Sequence, residues 1–313
     1  MIMNENENIP ASEEQERYIP AEYRENKNPV LEILICFLIM IGFLAIQVVV
    51  MVPFIFVKMA EIVPGLDPML PDTEKVSIVM DSLDTMTVSL AATFVSTLVA
   101  VFIYRKFFCR GYGVPELKAS CRKWLKPGIL GGLFFAAAAL YFLTYVVVNI
   151  IAIISPSQME QYNDLMESAG IGEMKWYVIV MTVILAPINE ECIMRGIILT
   201  RLKRQMAPII AIVISAIFFG IFHMNVVQGI YAGIMGLFMA YIAYKYNSVL
   251  PSMVFHAIFN ALNYLISLIP AKVQEALVPE EGQSGTFFLY FMLIVCAALW
   301  YFLEGRKKLS EKG

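Results

Sequence analysis

Eight apolar stretches are spread along this chain, each close to the roughly 20 residues an α-helix needs to cross a bilayer: 30–56, 86–104, 129–154, 176–199, 207–223, 226–244, 249–269 and 286–303. Backbone in hydrocarbon must satisfy its own hydrogen bonds, so the expected fold class is an all-α integral membrane protein, a bundle of about eight transmembrane helices. Composition agrees: 59% of the residues are hydrophobic and 16% charged, which leaves too little polar surface for a solvated exterior and calls for lipid to cover it. The polar, acid-rich segment 1–29 reads as a cytoplasmic tail, 30–305 as one multi-pass membrane domain and 306–313 as a basic cytoplasmic tail. No apolar segment follows close behind a basic start, so a signal-anchor helix is expected and a cleavable signal peptide is not.

Lysine and arginine accumulate in cytoplasmic loops, and here they divide unevenly. With the N-terminus inside, only Lys58, Lys75, Lys175 and Lys272 fall outside, Arg195 lies within a span, and the remainder of the 23 lie in the tails and the inner loops. Both termini are therefore expected in the cytoplasm, and the protein in the cell membrane. The outer loops are acidic, with Glu61, Asp67, Asp72 and Glu74 in the first and Glu160, Asp164, Glu167 and Glu173 in the second, which reads as solvated surface. The basic stretch 105–126 reads as a cytoplasmic loop beside anionic lipid. A formal charge of -3 supplies no basic field for nucleic acid, so the expected partners are the lipid bilayer and a peptide or membrane-protein substrate. The five cysteines form no CxxC pair and read as inert apolar side chains.

An ionisable group in mid-membrane costs roughly 2.5 to 3.5 kcal/mol on insertion scales, so it requires a partner and usually has a task. Such groups cluster in three spans, in Glu190-Glu191-xxx-Arg195, Phe219-xxx-His223 and His256-xxx-Asn260. Glu191 and Arg195 share a helix face, acid before base, the better order for an ion pair. Glu190 is turned roughly 100° away and is left free for chemistry. Pro187, one turn earlier, removes a backbone hydrogen bond and is expected to open the helix beside the acids. His256 and Asn260 share a face and can offer two donors to an oxyanion, while Phe219 is expected to pack on His223. These two histidines are the only ones in the chain. HExxH is absent, and Gly282-Gln283-Ser284-Gly285, a serine-protease-like tetrapeptide, lies in a polar loop with no histidine after it.

Taken together, the three motifs resemble the CAAX-processing protease and bacteriocin-immunity family (CPBP, Abi/Rce1-like), whose pattern is EExxxR, FxxxH and HxxxN in successive membrane helices. The similarity covers roughly 185–263, about a quarter of the chain, with the protease-like region expected within 176–269. The resemblance implies an intramembrane endopeptidase, in which Glu190 and His223 handle a nucleophilic water while His256 and Asn260 steady the tetrahedral intermediate. Glu191, Arg195 and Phe219 are supporting residues. No cofactor is fixed by the sequence. Zn2+ held by Glu190, His223 and His256 is the alternative to a metal-free general base, and the spacing of EExxxR favours the metal-free version.

Two other readings compete with the peptidase. One is a non-enzymatic immunity or scaffold protein on the same fold; the other is an ion-coupled transporter, which should carry inverted repeats, and none is visible. One geometric expectation runs against a shared site: His256 lies near the inner end of its span and His223 at the outer end of its own, so straight helices would hold them apart.

Overall fold

A computed structural model of the protein describes residues 28–109, 127–168 and 174–268. Among these residues there are nine helices and no strand. They are α1 Pro29–Ile62, α2 Asp72–Asp81, α3 Thr85–Ile103, α4 Pro127–Ile154, α5 Pro156–Ser168, α6 Trp176–Gln205, α7 Pro208–Phe222, α8 Val226–Tyr246 and α9 Leu250–Ser267. Of these, α1, α3, α4, α6 and α8 are long and apolar enough to cross a membrane. The protein is an all-helical membrane protein. The eighth apolar stretch, both charged tails, the Gly282–Gly285 tetrapeptide and the basic segment from 110 to 126 lie outside the described residues.

Local chemistry sets the helix starts. Asn28 accepts from Leu31 N at 3.1 Å with Pro29 following at the first helical position, Asp84 accepts from Thr87 N at 3.2 Å, and Asn225 accepts from Gln228 N at 3.0 Å. Each satisfies an amide that the first turn leaves without an intrahelical partner. In α1 the buried residues Glu32, Cys36, Met40 and Phe43 recur at helical spacing, so one stripe faces the bundle. Leu38, Val48, Phe94, Phe135 and Ile153 are among the large apolar side chains left on the outside, as expected where lipid is the solvent.

Two segments expected as plain loops are in fact short polar helices. α2 and α5 sit between membrane helices, and Asp72, Glu74, Glu160, Asp164 and Glu167 on them are exposed. The solvated reading of these acids agrees with their exposure; only the backbone differs.

Helices α7 and α8 form the tightest pair. A Cβ on Gly220 would stand 2.6 Å from the carbonyl oxygen of Gly229, and one on Gly229 would stand 3.0 Å from that of Gly220, so the two backbones touch where they cross, as small residues allow in membranes. The connection is three residues long and turns on Met224, held at φ 51°, before Asn225 caps α8. This tight hairpin fixes His223, the residue that ends α7, against α8.

Candidate active site

Helix α6 carries the acids, and its backbone is not uniform. The turns at Val180–Leu185 and Cys192–Leu199 are widened to π-helical geometry, leaving Ala186–Glu191 as an α-helical segment between them. In the first widened turn Ala186 N–H donates to Met181 O, five residues back. Pro187 comes next in that register and has no N–H for Thr182 O. The freed carbonyl instead accepts from Asn260 Nδ2 on α9 at 2.8 Å. The Thr182 hydroxyl, which donates to Val178 O, lies 2.9 Å from the Tyr264 hydroxyl of the same helix. A proline in α6 thus creates the anchor for α9.

Glu191 and Arg195 form the ion pair, 2.8 Å between Oε1 and Nη1, with both side chains fully buried. The guanidinium is held on two further sides, by Gly236 O on α8 at 3.0 Å and by the face of Phe219, 4.5 Å from its ring centroid. Gly236 has no room for a side chain, since a Cβ there would stand 3.2 Å from Phe219 and 3.4 Å from Arg195 Nη2. One residue before Glu190, buried Asn189 accepts from Ser96 on α3 at 3.1 Å.

Glu190 points elsewhere. Its Oε2 lies 4.0 Å from His223 Nε2 and 3.8 Å from His256 Nε2, and that oxygen is buried without a hydrogen-bond partner among the described residues. His223 Nδ1 stands 2.8 Å from Phe219 O; a carbonyl oxygen only accepts, so Nδ1 carries the hydrogen and Nε2 faces Glu190. His256 Nδ1 stands 3.3 Å from Glu191 Oε1, which gives the second ring the same presentation. Phe219 lies edge-on to both rings, with centroids 4.8 Å from His223 and 5.8 Å from His256.

The two histidines therefore meet at one carboxylate, and the separation expected for straight helices is not found. Helix α7 has only 15 residues, about 22 Å at about 1.5 Å per residue against a hydrocarbon core of about 30 Å. The helix that carries His223 is thus shorter than the bilayer core, and Phe219 one turn below contacts both rings. Asn260 is the sequence candidate whose hydrogen bond goes elsewhere than Glu190, to Thr182 O. Gly236, Thr182 and Asn189 also contribute to the site without belonging to any of the three motifs. Pro187 was the one signal that pointed to Thr182; nothing in the sequence marks a carbonyl or a glycine as part of a site.

A zinc ion with ligand bonds of about 2.0 to 2.2 Å in tetrahedral geometry needs donor atoms roughly 3.3 Å apart. The 3.8 and 4.0 Å separations here exceed that, and among the described residues no group of three His, Cys, Asp or Glu side chains is placed to hold an ion. As arranged, the residues do not fit the metal.

Residues 172–262 match the family model described as type II CAAX prenyl endopeptidase Rce1-like. The likeness is confined to this segment, under a third of the chain. The Rce1-like segment contains α6, α7, α8 and most of α9, and with them every residue that meets at Glu190. The likeness supports a CAAX-type membrane protease kind of function. No curated protein and no solved structure matches the chain.

Proposed function

We propose that the protein is an intramembrane endopeptidase in which Glu190 and His223 activate water while His256 and Asn260 stabilise the tetrahedral intermediate. The observation that carries this reading is the convergence of two imidazole Nε2 atoms on one buried carboxylate oxygen. At 4.0 and 3.8 Å from the two Nε2 atoms, Glu190 Oε2 is too far from either ring for a direct hydrogen bond, and the gap suits a water that donates one hydrogen to Glu190 and the other to His223 at about 2.8 Å from each. Glu190 takes a proton from that water as its oxygen attacks the peptide carbonyl carbon, and the same proton then passes to the leaving nitrogen. His223, fixed through Nδ1, orients the water. His256, with its Nδ1–H given to Glu191, takes a second proton from solvent on Nε2 before the attack and donates that hydrogen to the oxyanion, and Asn260 contributes the amide hydrogen not given to Thr182.

The substrate is a peptide or membrane-associated protein that reaches the bilayer. The test is cleavage of a peptide library by the purified protein, wild type beside Glu190→Ala and His223→Ala, with and without chelator. Each variant should lose about 10²- to 10⁴-fold in turnover, and the pair combined should be little worse than either, since groups acting as a unit are not additive. Undiminished cleavage by Glu190→Ala overturns the proposal. Loss of wild-type activity on chelation, restored by zinc, keeps the residues and replaces the mechanism.

A further inference from the structure

Two nitrogens meet at Oε1 of Glu191, and the Ser252 side chain on α9 also bonds the carboxylate. The bond to Arg195 is single, Nη1 to Oε1 at 2.8 Å, whereas a carboxylate that only neutralised a buried guanidinium would gain most from a bidentate pairing. The second nitrogen of the fork goes to Gly236 O instead, and the Oε1 that receives Arg195 also faces His256 Nδ1 at 3.3 Å. The guanidinium, fixed by Glu191, Gly236 and the Phe219 face, in turn fixes the carboxylate. His223 has its Nδ1 held by a backbone carbonyl of its own helix; His256, in the middle of α9, has no such carbonyl free and takes its acceptor from α6.

We propose that Glu191 is a positioning residue for the reaction: clamped by Arg195, it accepts the Nδ1 hydrogen of His256 and so keeps Nε2 of that ring turned to Glu190. The chain of contacts runs from Gly236 O to Arg195, Glu191, His256 and Glu190, and so joins α8, α6 and α9. An acceptor behind an imidazole sets both its tautomer and its orientation, as the aspartate does in serine-protease triads. The inference rests on the peptidase reading for its consequence in catalysis, but the placement of the hydrogen is a property of the folded protein alone.

The chain has only two histidines, so protein labelled with 15N-histidine gives two ring signals, assigned by His223→Gln. At about pH 8, above the ordinary histidine pKa, both rings should carry hydrogen on Nδ1. A His256 ring bare at Nδ1 in the wild type overturns the proposal whatever any variant does. The decisive variant is Glu191→Ala/Arg195→Met, which removes both members of the pair together, so that neither is left buried without the other. If Glu191 served only as a counter-ion, this double variant would keep the His256 signal and the wild-type turnover. The expected result is loss of the Nδ1 preference at His256, with His223 unchanged as the internal control, and a kcat about 10- to 100-fold lower at similar KM, as when an acceptor behind a functional histidine is removed. Should Glu190→Ala retain activity while the ring signals behave as expected, the peptidase mechanism fails and the positioning stands.

Discussion

Two neighbouring glutamates in one apolar helix are given opposite environments. Glu191 is fully buried and paired through Oε1, whereas Glu190 keeps 16% of its side chain exposed and turns Oε2 to the two histidines; among the described residues one oxygen of each carboxylate lacks a hydrogen bond. A buried ion pair is costly to break one partner at a time, because the survivor remains desolvated; the usual penalty is about 3 to 5 kcal/mol. Arg195→Met should therefore lower stability by about that amount in denaturant or thermal unfolding in detergent. Glu190→Gln should leave stability unchanged or raise it, since among the described residues its buried Oε2 makes no hydrogen bond, and groups poised for chemistry are commonly held at some cost in stability. Equal losses for the two variants would show that Glu190 is structural after all.

At the level of helices, the decisive event is the Thr182 carbonyl that Pro187 leaves for Asn260. A proline inside a helix typically costs about 3 kcal/mol, and here the freed carbonyl holds the α9 amide on which part of the proposed oxyanion site depends. Pro187→Ala restores an N–H at that position, which competes with Asn260 for Thr182 O. The unfolding temperature should be at or above wild type while peptide turnover falls about tenfold, the equivalent of one hydrogen bond of about 1.4 kcal/mol. Unchanged turnover would mean that the Asn260 anchor does not depend on the proline. Residue spacing alone was enough to anticipate the Glu191 and Arg195 pair and the packing of Phe219 on His223, because both follow from i,i+4 geometry within one helix. What spacing does not convey is how far apart two helices stand or how a helix is wound. The approach of His256 to Glu190 depends on a short α7, on glycine contacts between α7 and α8 and on the widened turns of α6, none of which has a strong sequence signal. The polar helices α2 and α5 escaped for a different reason: a search for long apolar runs passes over segments whose sequences are largely polar.

For the molecule as a whole, the open question is which face of the bilayer meets which end of the bundle, and the charges on the structure bear on it. At the end where α5 and the α7–α8 turn lie, Glu160, Asp164 and Glu167 are exposed on α5, and Tyr162 brings its hydroxyl 3.4 Å from that of Tyr231 on α8. Lys203 and Lys245 lie toward the opposite end, on the last turns of α6 and α8. Basic residues mark the cytoplasmic side and acids carry little topological weight, so the α5 end is expected to face outward and the end of α6 inward. Single-cysteine variants at Ser157, at the start of α5, and at Ser120, in the basic stretch after α3, test this on a background with the five native cysteines replaced. An impermeant thiol reagent added to intact cells should label Ser157→Cys at once and Ser120→Cys only after permeabilisation. Labelling of both from the same side would mean that the helices between them cross an even number of times, so that α4 does not span and the bundle inferred from the apolar stretches is miscounted. The reverse pattern would keep the helices and invert the protein, placing the Tyr162 and Tyr231 contact, and the end of α7 that carries His223, on the cytoplasmic side.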